Sequence, residues 1–172
     1  MIKMVEKILY FDVETTGLDE KVCEIVQIAG IIEIDGEIKE KFNLLMKPTP
    51  NAKITEESLE VIGKTKEELL SYPPQIIVYD KFKKILESYV NKYDKTDKLK
   101  LVGHNVGFDF NFLLAWSKRM EDKYIGSLVS YKEQFCTFRV IQAMKFLGII
   151  GKILYHVIKW HFITILVKNM YF

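Results

Sequence analysis

Two carboxylates stand two residues apart in FDVETTGLD, residues 11–19, at the end of the apolar run KILYF. In an extended strand the side chains alternate, so Asp12 and Glu14 share one face with Tyr10, while Leu9, Phe11 and Val13 take the other. At a separation of roughly 7 Å, two anions repel by about 2 to 3 kcal/mol at an effective dielectric near 20. The pair therefore requires something positive between its members. A third carboxylate, Asp109, lies in GHNVGFDFNFLL, residues 103–114, where a strand passes into a helix. Taken alone, Asp109 reads as an ordinary helix-start residue, favoured there by the helix dipole.

The elements that must position these groups follow from periodicity and punctuation. CEIVQIAGIIEIDGEIKEKFNLLM gives two β-rich runs joined by Asp35-Gly36, a dipeptide suited to a two-residue type I′ turn, and so predicts a hairpin. Pro48 and Pro50 end it. Thr55 is the expected N-cap of a helix in ITEESLEVIG, and Thr65 with Glu68 fits a capping box. After Pro73-Pro74, the residues Phe82, Ile85, Leu86, Tyr89 and Val90 recur at helical spacing. KLKLVGH reads as a strand, and Phe108 to Met120 as a helix that turns Phe112, Leu113 and Trp116 inward. A short strand near FCT and a helix through FRVIQAMKFLG come next. This order predicts an α/β layer fold with a mixed sheet.

A chain of 172 residues, 49% apolar and 28% charged, suffices for one well-packed core and predicts a single domain over residues 1–172. Cys23 and Cys136 form no CxxC or Cys/His cluster, so no disulfide framework or zinc site is signalled, and a reducing, cytoplasmic setting is expected. Charges at Lys3, Glu6, Lys7 and Asp12 interrupt any secretory apolar core in the first residues. The net charge of +2 does not announce a nucleic-acid partner by itself. Residues 134–172 lack Asp and Glu but carry Arg139, Lys145, Lys152, Lys159 and Lys168. That segment is either a phosphate-facing surface or a drift in composition. Its apolar stretch ILYHVIKWHFITILV is short of the roughly 20 residues that span a bilayer, so a buried helix and no membrane contact are expected.

FDVETTGLD and GHNVGFD together resemble the first two motifs of the DEDDh 3′-to-5′ exonucleases, the superfamily that includes the epsilon proofreading subunit of DNA polymerase III. The resemblance covers about residues 7 to 165, with LYHVIKWHFI standing where the family has a late helix. It implies a ribonuclease-H-like α/β fold, a mixed sheet flanked by helices, and two divalent ions, Mg2+ or Mn2+. Asp12, Glu14 and Asp109 would be the catalytic metal ligands, with Asp12 bridging. Thr15 would bind the terminal 3′-hydroxyl through backbone groups, and Leu18 would wedge against the last base. Thr16 and Gly17 would shape the turn, Gly17 through its conformational freedom, while His104, Asn105 and Phe108 would line the substrate side. The bland alternatives are turn formers at Thr15 and Thr16, a half-exposed loop residue at Leu18 and a structural histidine at His104. The implied substrates are single-stranded or frayed DNA 3′ ends, with RNA left open because nothing here reads a 2′-hydroxyl. The implied products are nucleoside 5′-monophosphates, and the implied partner is a DNA polymerase subunit.

The sequence departs from the family's third motif, a His followed five residues later by an Asp. The last Asp is Asp122, and neither His156 nor His161 is followed by one. From about residue 164 the ending is atypical, TILVKNMYF, and is what a frameshift or early stop would produce. Without a base near the attacking water, a factor of about 100 to 10,000 in rate is lost. The competing expectation is therefore a module that only binds nucleic acid or a polymerase.

Overall fold

A computed structural model describes residues 5–146. Strand β1 (Lys7–Thr15) alternates as expected, with Leu9, Phe11 and Val13 buried and Tyr10, Asp12 and Glu14 only partly so. The hairpin joins β2 (Ile25–Ile34) to β3 (Glu37–Leu45), and Asp35 and Gly36 both adopt the positive φ, 50° and 84°, that a type I′ turn demands. Three helices follow: α1 (Glu56–Ile62), α2 (Lys66–Ser71) and α3 (Gln75–Glu87). The Thr55 side chain accepts from the Ser58 N–H, and Thr65 and Glu68 complete both halves of a capping box. Strand β4 (Leu99–Gly103), helix α4 (Val106–Arg119), a 3-10 turn at Ile125–Ser127, β5 (Val129–Cys136) and α5 (Thr137–Phe146) complete the order.

The sheet runs β3-β2-β1-β4-β5. β1, β2 and β3 pair antiparallel, whereas β4 lies parallel to both β1 and β5, so the sheet is mixed. Its apolar face is covered by Val78, Tyr79, Phe82 and Leu86 of α3 and by Phe112, Leu113 and Trp116 of α4. Phe82 bridges the layers, its ring 5.7 Å from both Phe42 and Trp116, in the spacing favoured by aromatic pairs.

Three boundaries differ from the periodicity. α3 stops at Glu87, so Tyr89 and Val90 pack from the loop beyond it, and its stripe instead begins at Val78 and Tyr79. α4 starts at Val106, two residues early, because Asn105 takes a left-handed conformation (φ 62°) that lets the chain turn sharply out of β4. β5 is longer than FCT: its pairing jumps from Lys100↔Ser130 to Leu101↔Gln134, so residues 131–133 bulge out and hide the strand's period. The expected late helix, His156, His161 and the ending from residue 164 lie outside the described residues. Among the described residues no helix is long and apolar enough to cross a membrane.

Candidate active site

The β1–β4 ladder ends at Tyr10↔Val102, while β1 continues to Thr15. Past that end the Val13 N–H has no strand to bond, and a helix-borne carboxylate takes its place: Asp109 Oδ1 accepts from Val13 N at 3.1 Å. Asp109 sits in the first turn of α4 and is 2% exposed. This bond brings a residue 96 positions away onto the strand that carries Asp12 and Glu14. Its other oxygen, Oδ2, is buried with no hydrogen-bond partner. An orphaned carboxylate oxygen in a dry site costs a few kcal/mol unless something charged or polar meets it.

The three carboxyls feel one another. Burial pushes Asp12 up to about 6. Burial, then the charge of Asp12, pushes Glu14 up to about 7. Asp109 rises to about 8, first through burial and then through Asp12, although the Val13 N–H opposes the rise. Among the described residues no Lys or Arg is paired with any of them. Nor, among those residues, are three or more His, Cys, Asp or Glu side chains gathered closely enough to form a ready-made metal cage. The set is therefore electrostatically joined but not converged. All its donors are hard oxygens, one of them unpartnered, which fits a divalent cation of the magnesium type that brings water and substrate oxygens to complete its shell.

Beside Glu14 opens a cavity of about 580 Å³, lined by Leu18, Val22, Val61, Ile62 and Phe108 among others. Leu18 is 84% exposed and Val61 80% exposed, a large apolar surface left to water at its mouth. Phe108 also lines the cavity, its ring packed 4.8 Å from that of Phe112. Of the residues expected to meet substrate, Glu14, Thr15, Gly17, Leu18 and Phe108 line this cavity. Thr15 is buried and its hydroxyl donates to the Gly17 carbonyl at 2.7 Å, which closes the turn.

Thr16 is placed differently. Its hydroxyl donates to the Lys53 carbonyl at 2.6 Å and accepts from the Glu24 N–H at 3.0 Å, so the side chain is consumed in tying three segments together. Gly17 is required for a different reason from conformational freedom: its φ is not positive, but a Cβ there would lie 2.6 Å from Cys23 Sγ and 3.1 Å from Thr55 Cγ2. His104 contacts the Thr137 hydroxyl through Nδ1 at 3.2 Å and Phe138 edge-on, pinning β4 to the start of α5. Asn105 is exposed at the head of α4 and makes no capping bond there with its side chain.

Sequence reasoning passed over two features. Val61 and Ile62 form a wall of the cavity from a helix, α1, that buries none of its residues, and apolar side chains on so exposed a helix were the available signal. Glu24, 4% exposed, accepts from Thr49 N at 2.8 Å, Thr49 Oγ1 at 2.7 Å and Gln75 Nε2 at 2.7 Å, and so anchors the loop that carries Leu18. An acid at the head of the apolar run IVQIAGII was its only mark.

Residues 9–149 match the family described as Exonuclease, of RNase T type. The chain belongs to the exonuclease family. This exonuclease domain is 33% identical over 126 residues to the PolC-type DNA polymerase III of Thermotoga petrophila and 30% identical over 117 residues to that of Bacillus subtilis. These matches cover 70% and 67% of the chain but only 8% and 7% of the polymerases, so it spans less than a tenth of the curated relatives it matches. Exonuclease I of E. coli, solved in complex with a dT13 oligonucleotide, superposes with a TM-score of 0.66 at 17% identity, over 81% of this chain and 30% of that one. That protein has also been solved on single-stranded DNA with zinc bound. The likeness establishes the ribonuclease-H-like fold expected from the sequence.

Proposed function

We propose that this exonuclease domain hydrolyses the last phosphodiester bond at the 3′ end of single-stranded or frayed DNA and releases nucleoside 5′-monophosphates. The observation that carries the reading is the delivery of Asp109, with its unpartnered Oδ2, to the strand bearing Asp12 and Glu14. Asp12, Glu14 and Asp109 would hold two divalent ions, Mg2+ or Mn2+. When bound, such ions stabilise charge on the phosphoryl oxygens and leaving group and lower the pKa of a bound water.

The chain's own residues would bind and orient the strand end. Leu18 and Phe108, both lining the cavity, would offer apolar faces to the terminal base, which any of the four bases can use. The Thr15–Gly17 turn, closed by its internal bond and locked by Thr16, holds Leu18 at a fixed distance from Glu14. The PolC-type relatives support work beside a DNA polymerase, either as part of one chain or as a bound subunit.

The test is a 5′-labelled single-stranded oligodeoxynucleotide incubated with Mg2+, with Mn2+ and with EDTA, beside the Asp12→Ala protein. A ladder shortening from the 3′ end, present with metal and absent in EDTA and in the variant, is expected. Cleavage that survives Asp12→Ala would overturn the assignment. A specific observation favours a second reading: residues 134–172 contain no Asp or Glu, so the family's fourth acidic ligand has no counterpart there. Under it the domain grips the strand without cutting, and the same experiment would show a bound, intact oligomer. A parallel oligoribonucleotide tests the sugar.

A further inference from the structure

A second depression lies next along the chain from the cavity at Glu14. One wall, the loop through Leu18 and Asp19, runs on into Glu20 and Lys21; the other, α4, runs on one turn from Phe108 to Asn111. These continuations enclose a groove of about 640 Å³, lined further by Leu114, Ala115, Lys118 and Arg119. The groove thus neighbours the proposed reaction site through the same loop and the same helix, and lies further along α4 toward its C-terminal end.

Its charge is unbalanced. Lys21 on the loop and Lys118 on α4 are exposed, and Arg119, half-buried, lines the same groove, against the single lining acid Glu20. Arg119 is incompletely neutralised: Nη1 donates to the Glu20 carbonyl at 3.4 Å, Nε lies 3.8 Å from Glu24 Oε1, and Nε and Nη2 are buried without hydrogen-bond partners. Leu114 adds an exposed apolar surface to the same lining. Cations and apolar surface in one groove suit a strand whose phosphates and unpaired bases are both accessible. A paired duplex would keep its base faces stacked out of reach.

We infer that this groove holds the single strand on the 5′ side of the reacting nucleotide, with its phosphates on Lys21 and Lys118. The inference rests on the nuclease reading above and extends it from the terminal residue to the strand behind it. From Phe108 to Lys118 is about 15 Å along the helix, the span of about four phosphates in a stacked strand.

The test measures binding of fluorescein-labelled oligothymidylates of two, four, six and eight nucleotides in EDTA, across a salt series. For the wild-type domain, affinity is expected to rise with length up to about six nucleotides and then level off. In the Lys21→Gln, Lys118→Gln double variant that rise should flatten, and the slope of log affinity on log salt should fall by about 1.4, about 0.7 for each phosphate that a lysine no longer neutralises on a single strand. Lys84→Gln, which removes a cation from a separate depression beside Glu40 and Asp80, should leave the slope unchanged. An unaltered slope and length dependence in the double variant would overturn the groove while leaving the nuclease reading intact. Failure of the wild-type domain to bind any oligomer at low salt would instead sink the nuclease reading, and the groove with it. A blunt duplex bound as tightly as the single strand, with the same loss of slope, would overturn the single-strand assignment.

Discussion

Replacing Asp109 by Asn should stabilise the metal-free domain above neutral pH, although it removes a proposed catalytic group. In the wild-type fold burial and the charge of Asp12 raise the Asp109 carboxyl from 3.8 to about 8. A carboxyl whose folded pKa lies above its unfolded value keeps its proton in the native state while the unfolded chain releases it. Stability is then greatest below about pH 4 and declines as pH rises toward 8, by about 1.4 kcal/mol per unit for this group. Across the window from 3.8 to 7 the accumulated loss is on the order of 4 kcal/mol, and Asp12 and Glu14 add to it up to about pH 6 and 7. An Asn at 109 carries no charge, keeps an oxygen for the Val13 N–H, and puts an amide N–H where the orphaned Oδ2 now lies. Allowing for imperfect fit, a gain of about 2 kcal/mol at pH 8, or about 4 to 8 °C in Tm, is expected, with little difference at pH 4. Thermal melts in EDTA between pH 4 and 9 provide the assay. Adding Mg2+ at pH 8 should raise the wild-type Tm and leave the variant's nearly unmoved, because a ligand stabilises only the state that binds it. A variant that melts at or below wild type at pH 8, together with a wild-type Tm flat from pH 5 to 8, would show that the three carboxylates are not mutually repelling in a dry site.

Leu18→Ala should leave stability within about 0.5 kcal/mol, since the side chain is 84% exposed, while raising KM for oligonucleotide ends by about 5- to 150-fold, the worth of about 1 to 3 kcal/mol of base stacking; equal KM values for the two proteins would remove Leu18 from the substrate site. Gly17→Ala, which drives a methyl to 2.6 Å from Cys23 Sγ, should lower stability by about 1 to 3 kcal/mol in urea melts and raise KM as Leu18 shifts, and a fully stable variant would refute the close-packing account.

Elements fixed by local chemistry could be read from the chain alone. The Asp35-Gly36 turn, the Thr55 cap and the Thr65–Glu68 box each depend on residues within a few positions, and all three stand in the structure. The alternation of β1 was equally plain, because its buried and polar faces differ in every residue from Leu9 to Glu14. The bulge at residues 131–133 was hidden, since an inserted segment breaks the period on which a strand is recognised. Gly17 stands out in the sequence for the wrong reason: the obstruction comes from Cys23 and Thr55, which a local reading does not place beside it.

Glu24 shows why the support of a site is harder to read than the site. Asp12 and Glu14 draw notice because they are neighbours, whereas Glu24 finds its partners 25 residues away at Thr49 and 51 away at Gln75, with Arg119 3.8 Å off on α4. Each of these is by itself an ordinary polar pair. Together they fasten β2, the segment after β3, α3 and the end of α4 to one buried carboxylate, and Thr16 bonds to that residue's backbone from the other side. A buried charge with so many partners contributes little net stability relative to an apolar core, but only one arrangement of the four segments satisfies it. The loop bearing Leu18 follows directly from Thr16, and Arg119 lines the groove. The same carboxylate therefore ties the turn that leads to Leu18 to the helix end that carries Arg119, so the proposed terminal-base cavity and the proposed groove would be held by one anchor.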